Sequence, residues 1–296
     1  MSAPMAARGS SARTTRRPQR LRGWSVRHLL AVAALVALAA GILVPILYTL
    51  NTALKTDADF AANRFGLAWS PSLGALLSAW DQGLMPGSMI NSMITSSAAV
   101  VTLWVVCSMA AYALTLMRFP GRQMIFIFVL ASVMIPIQVI MFPLFIQFRD
   151  VGLLNSYQGL TMAFVTFGIP LTTFQFAAYF KTLPHETLEA ARIDGASTLQ
   201  TLFRVVLPMS KPILAVTGII NFVWTWNDVL LPFLVIQDSD KKPLVAQLAV
   251  ITQSQFFSTS IPIVAATVVL GFAPTVVVYL IAQRQIVRGV TAGAVK

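Results

Sequence analysis

Charge is scarce in this sequence. Only 10% of its 296 residues are Asp, Glu, Lys or Arg, against 57% hydrophobic, where a water-soluble domain carries roughly 25% charged residues. That shortage excludes one water-borne core large enough to bury so much apolar side chain, and makes lipid the expected solvent. Cysteine is scarcer still: Cys107 stands alone, which excludes an internal disulfide and reads as a small buried hydrophobe. There are two histidines, His28 and His185. The run His185-Glu186-Thr187-Leu188-Glu189 lacks the second His that HExxH zinc chemistry needs. GxxxxGK[ST] and GxGxxG are both missing, so no nucleotide is expected to bind here. The pattern gives no catalytic, cofactor-binding or metal-ligating set.

Apolar runs are plentiful instead. A helix needs about 20 apolar residues to cross a hydrocarbon core of roughly 30 Å. Six stretches meet that length: 29–50, 89–115, 124–147, 157–180, 212–236 and 261–283. Lipid offers no partner to backbone amides, so each must be helical or belong to a closed barrel. Barrel strands alternate over about ten residues, and these runs are longer and continuous. The expected fold class is an all-α membrane protein with six transmembrane helices. The first run has a basic start like a signal peptide but exceeds the 7–15 residues of an h-region, which predicts a retained anchor.

The net charge of +11 is unevenly spread. Sixteen of the 21 Lys and Arg residues lie in the N-terminal tail, the second and fourth connections and the C-terminal tail. The acids Asp57, Asp59, Asp81, Asp150, Asp238 and Asp240 lie in the other connections. The positive-inside rule then predicts both termini in the cytoplasm of a cell-membrane protein. The basic excess reads as a topology signal and as attraction to anionic headgroups of the lipid bilayer. No basic stripe lies on a soluble face, so no nucleic acid is expected as a partner. The expected division is a basic, disordered tail over 1–27, a six-span domain over 28–285 and a cytoplasmic tail over 286–296. Residues 51–88 and 237–260 form outer connections. Pro45, Pro136, Pro143, Pro170, Pro232 and Pro274 interrupt spans and predict kinks.

Between the fourth and fifth runs lies a polar island, about 181–211. Pro184 suits a first helical turn, and Glu186 sits well near a helix N-terminus. Gly195 is the natural left-handed cap. Ser197-Thr198-Leu199-Gln200 has the form of a capping box. Leu199, Leu202, Phe203 and Val206 then follow one helical stripe, and Pro208 is expected to stop or bend the chain. This helix–Gly–helix elbow suits either an interfacial helix on lipid or a helix offered to a soluble partner.

Glu189-Ala190-Ala191, three residues, Gly195, nine residues, Val205, one residue, then Leu207-Pro208 resembles the EAA loop of permease subunits in binding-protein-dependent ABC importers. Val205 stands where that pattern usually has Ile. Asn91-Ser92, Ile135-Pro136-Ile137-Gln138, Trp224-Thr225-Trp226-Asn227-Asp228 and the ending Val287 to Lys296 are similar to the maltose-type, MalG-like carbohydrate branch. The resemblance implies a non-catalytic permease subunit of a sugar importer. It implies a second homologous permease, two cytoplasmic ATPase subunits that use the ATP, and an extracytoplasmic solute-binding protein met by the outer connections. It also implies that the elbow is a cytoplasmic coupling helix. There Glu189 and Asp194 would meet basic groups or amides, and Ala190, Ala191 and Gly195 would allow close approach. Leu199 and Phe203 would fill apolar pockets, ahead of Leu207 and Pro208.

A sugar presents hydroxyls and apolar C–H faces, so its path calls for aromatics beside amides or carboxylates. Trp224, Trp226, Asn227 and Asp228 offer that chemistry, with Gln138 a weaker candidate. The same residues also suit an interfacial Trp belt and a helix link, and a carboxylate there is expected to face a cavity, a partner helix or the interface. Three rival functions are a permease half for a solute such as a glycerol phosphate, a polytopic membrane enzyme, and a purely structural bundle protein, which leaves the spacing of the elbow residues unexplained.

Overall fold

The computed structural model of the chain describes residues 26–82, 85–257 and 260–294. Most of the expected basic tail, 1–25, and the last two residues lie outside these. Among the described residues all regular structure is helical. The chain divides at Leu47/Tyr48 into two compact units. In the first, residues 26–47 form the start of α1 (Val26–Ala53), whose apolar side chains such as Leu30, Leu35 and Leu38 are exposed.

The second unit continues from the end of α1 through two short helices, α2 (Asp57–Ala62) and α3 (Gly74–Gln82). They occupy the expected outer connection. Then come α4 (Met85–Leu116), α5 (Arg122–Ala131), α6 (Ile137–Asp150) and α7 (Tyr157–Phe180). The polar island holds α8 (His185–Ile193), α9 (Thr198–Thr201) and α10 (Leu207–Met209), the last two joined by a π-turn over Leu202–Val206. The remainder is α11 (Lys211–Asn227), α12 (Leu230–Val235), α13 (Leu244–Phe257) and α14 (Ile261–Ala294).

Among the described residues, four helices are long and apolar enough to cross a membrane: α1, α4, α7 and α14. The count rises to six if each of two bent pairs is one span. The third apolar run is one such pair, with a 101° bend between residues 134 and 137. Ile135 is extended there, because a proline disfavours helical geometry in the residue before it, and Pro136 caps α6. The other bent pair joins residues 198–209 to α11 at 80°. The fifth run itself breaks between α11 and α12.

α4 and α7 form the spine, and they run parallel. Tyr157 at the start of α7 donates to Asn91 near the start of α4, and Phe180 at the end of α7 shares a core with Ala111 and Tyr112 at the end of α4. The intervening α5 and α6 therefore carry the chain back along the bundle. Lipid tails are as apolar as leucine, so helices in a bilayer associate through close packing and interhelical hydrogen bonds. Both devices are present. Leu103 presses on Gly168, where a Cβ would lie 2.7 Å from its Cδ1, and Trp104 on Gly218, where a Cβ would lie 2.5 Å from its Cζ2. Trp104 Nε1 donates to Thr217 Oγ1 at 3.2 Å. The buried Asn221 amide donates to Thr172 Oγ1 at 3.0 Å, joining α11 to α7.

α13 corrects the expectation that 237–260 is only a connection. Leu244, Ala246 and Leu248 are buried, and the helix packs against α14 and α4. Its 14 residues are too few to cross a bilayer, so a search for span-length runs passes over it.

Gly168→Leu is expected to destabilise the detergent-solubilised protein by about 1–3 kcal/mol through overpacking. Adding Leu103→Ala should restore part of the loss. Thermal unfolding of the two variants checks both statements.

Candidate functional site

The elbow is built from local hydrogen bonds. α8 ends in a Schellman motif: the Ala196 amide donates to Ala191 O at 3.0 Å and the Gly195 amide to Arg192 O at 3.1 Å. Gly195 holds φ at +77°, and a Cβ there would meet nothing within 4 Å. The second helix opens with a complete capping box. The Gln200 amide donates to Ser197 Oγ at 3.3 Å, and the Ser197 amide to Gln200 Oε1 at 2.8 Å.

Two details differ from expectation. The apolar stripe is split rather than single. Leu202 and Val206 are buried in the core shared by α4 and α7, with Leu188 of α8 beside them, whereas Leu199 and Phe203 are 55% and 47% exposed. The stripe is wider than the one groove that receives it. Nor does Pro208 end the helix. Proline lacks an amide and crowds the carbonyl four residues back, and the π-turn over Leu202–Val206 relieves that conflict. There the Leu207 amide reaches Leu202 O, five residues back. The bend falls instead at Ser210, and Tyr179 Oη ties α7 to Met209 O at 3.3 Å. Glu189, Ala190, Asp194 and Gly195 are exposed and Ala191 is half-buried. Ile193, 85% exposed, adds an apolar contact that the sequence reading did not single out, although its place in the last turn of α8 was visible.

The aromatic-amide cluster at the end of α11 is dispersed. Trp226 is 3% exposed, stacked on Phe222 at 5.4 Å and packed with Met85, Leu244 and Leu248. Trp224 meets Phe164 edge-on at 5.8 Å. Asp228 Oδ2 accepts from the Leu231 amide at 2.9 Å, so it caps the break before α12. Asn227 donates to Val223 O and accepts from Thr275 Oγ1. Of the proposed pathway residues only Asn227 lines the largely apolar cavity, about 720 Å³, between α13 and α14, together with Leu248, Thr252, Thr267 and Phe272. Gln138 is exposed at the start of α6.

The opposite end of α4 from the elbow carries a clasp. Asn91 Nδ2 donates to Asp240 O at 2.7 Å and Lys242 O at 3.2 Å, and Ser92 Oγ accepts from the Leu244 amide at 2.7 Å. Asn155, with φ of +55°, donates to Asp238 Oδ2 at 2.6 Å and accepts from the Gln237 and Asp238 amides. Sequence reading missed Asn155. Its signal was an Asn in a turn, one of the few residues that tolerate left-handed backbone.

A family model described as "Binding-protein-dependent transport system inner membrane component" matches residues 105–291. The chain belongs to this family. It is 33% identical over 261 residues to the diacetylchitobiose uptake system permease protein NgcG of Streptomyces coelicolor, covering 88% of this chain and 86% of that one. It is 31% identical over 276 residues to the melibiose/raffinose/stachyose import permease protein MelC of Bacillus subtilis, covering 92% and 97%. It is 37% identical over 207 residues to the sn-glycerol-3-phosphate transport system permease protein UgpE of Yersinia pestis, covering 70% and 72%. Among solved structures, a chain of a bacterial ABC transporter importing the acidic polysaccharide alginate superposes with a TM-score of 0.75 at 25% identity, covering 90% of this chain and 99% of that chain. The protein is thus an integral membrane permease subunit of an ABC importer, a transport component rather than an enzyme.

Two outcomes follow from the geometry. Trp226→Ala should cost about 3–5 kcal/mol of stability as a buried aromatic, and Asp228→Ala about 1 kcal/mol as a lost cap; thermal unfolding separates them. The hydrogen bond from Asn155 holds the Asp238 carboxyl below its usual range, with Lys241 assisting. A carboxylate with a lowered pKa stabilises above its unfolded value and loses that contribution as pH falls through the folded value. Protection factors of the amides of residues 237–242, corrected for the intrinsic exchange rate at each pH, should therefore fall in acid, and Asn155→Ala should shift that onset upward in pH.

Proposed function

We propose that this chain is one half of the translocation pathway of an ATP-driven sugar importer, for a disaccharide or oligosaccharide, and that the elbow couples it to its engine. The observation that carries the coupling role is the split stripe. Leu188, Leu202 and Val206 root the elbow in the α4–α7 core, while Ile193, Leu199 and Phe203 face outward. A closing ATPase subunit pressing on the outward side moves the inward side with it. Glu189 and Asp194 offer carboxylates to the partner, Ala190, Ala191 and Gly195 let its backbone approach, and Leu207-Pro208 carries the motion to α11.

The expected assembly adds a second homologous permease, two ATPase subunits that bind and hydrolyse the ATP, and an extracytoplasmic solute-binding protein. The chain itself binds no cofactor. Six spans, with α5 and α6 crossing together as the third and α11 and α12 as the fifth, a domain over 28–285, a coupling loop over 181–211 and a cytoplasmic tail at each end agree with the distribution of Lys and Arg. The clasp of Asn91, Asn155 and Lys242 then faces outward, where a solute-binding protein docks. The similarity to NgcG and MelC supports a sugar. The similarity to UgpE supports a second reading, a glycerol phosphate. The cavity beside Asn227 favours the first, because among the described residues no cation lines it. Asn227 is proposed to touch substrate, with Trp224, Trp226, Asp228 and Gln138 shaping the helices around it.

Gly195→Trp tests the coupling in the reconstituted transporter. Uptake should be lost while the complex still assembles, and substrate should no longer stimulate ATP hydrolysis. Gly195→Ala should be milder, because it adds only a left-handed backbone cost of about 1–2 kcal/mol in open space. Normal uptake with Trp at this position overturns docking through the elbow.

A further inference from the structure

Beside the elbow lies a cleft of about 740 Å³ between α8 and the end of α4, with polar walls. His185, Leu188, Glu189 and Arg192 of α8 face it from one side, at helical spacing. Arg118 and Arg122 line it from the other. Arg122 Nη1 donates to Met117 O at 2.7 Å, which fixes the turn that carries both arginines. Three guanidinium groups against one carboxylate make the cleft a receptor for an anion, and the planar guanidinium fork suits phosphate.

A second cavity of about 400 Å³ shares Thr115 and Arg122 with the first. Its walls include Leu114, Phe126, Ile127 and Leu130, with Lys181 at its side. The Lys181 ammonium stands 5.7 Å from the centre of the Phe126 ring, where the ring face favours a cation. This groove runs along α5, whose Met124, Ile125 and Phe128 are exposed apolar side chains suited to contact with lipid. A cationic cleft thus shares Thr115 and Arg122 with a groove that has polar Gln123 beside an apolar wall of Phe126, Ile127 and Leu130, on a helix with exposed apolar side chains.

We propose that this continuous site holds an anionic phospholipid, its phosphate between Arg118, Arg122 and Lys181 and its acyl chain along Phe126, Ile127 and Leu130. A soluble phosphate ester would use the cleft and leave the groove unexplained. An acidic segment of another subunit would likewise have no use for an apolar channel opening along α5. The site needs only that the chain is integral to the membrane; it does not depend on the solute carried or on the coupling role of the elbow. It does place the lipid against α8, so its occupancy bears on the elbow's position.

The test uses the complete transporter, reconstituted in bilayers of phosphatidylcholine with either phosphatidylglycerol or cardiolipin, then extracted and weighed by native mass spectrometry. Wild type should retain anionic lipid in preference to phosphatidylcholine. Each removed cation should weaken retention about fivefold, so Arg118→Gln with Lys181→Gln should abolish the preference. Leu130→Trp, which fills the groove and keeps every charge, should also lower retention, and guards against misfolding of the charge variant. Inorganic phosphate should displace the lipid poorly. Equal retention of both lipid classes by wild type overturns the proposal. So does retention that Leu130→Trp leaves unchanged, or full displacement by inorganic phosphate, which would mark a soluble-anion site. Loss of the ATPase subunit from the charge variant with lipid retention intact would assign the cleft to a protein contact and equally overturn it.

Discussion

The architecture rests on the close approach of α4 and α7. In a bilayer no gain comes from hiding leucine from lipid, so two helices stay together only where their surfaces interlock or hydrogen-bond. Leu103 lying against Gly168 supplies the interlock, and the Asn91–Tyr157 bond fixes the register at one end. Because the two helices run the same way, the chain between them must return along the bundle. The bend at Pro136 and the position of α5 follow from that requirement. At the other end, the same pair creates the pocket that receives Leu188, Leu202 and Val206. The elbow's position is inherited from the spine.

Much of this could be read from residues in order. Long apolar runs announce helices because lipid leaves the backbone no alternative, and 157–180 coincides with α7. The elbow was equally legible, since its hydrogen bonds are local. Gly195 and the Ser197–Gln200 box each solve a problem set within four residues. What stayed hidden depends on partners far away in sequence. Nothing near Trp226 states that Met85 and Leu244 will enclose it, so its burial could not be read from the segment alone. α13 was hidden for a different reason: it is apolar and buried but shorter than a span. The division of the elbow stripe also depends on distant chain, because periodicity gives the width of an apolar face and not the width of the groove that meets it.

The cleft and the elbow share α8, and Leu188 and Glu189 belong to both. Arg192 lines the cleft while Ile193, next in sequence, points outward. One short helix therefore serves a charged recess and, through Leu188 on the same side, a root in the core, while Ile193 presents an apolar side chain outward.

The π-turn over Leu202–Val206 has a consequence for how this elbow tolerates change in length. Such a turn holds one residue more than an ordinary helical turn. Elsewhere in the segment, loss of a residue would rotate everything downstream by about 100° and put the buried and exposed sectors out of phase. Within the wide turn a single-residue deletion keeps the alignment between the Ser197 cap and the 80° bend at Ser210 by reversion to regular helix, and its cost is the return of the Pro208 conflict.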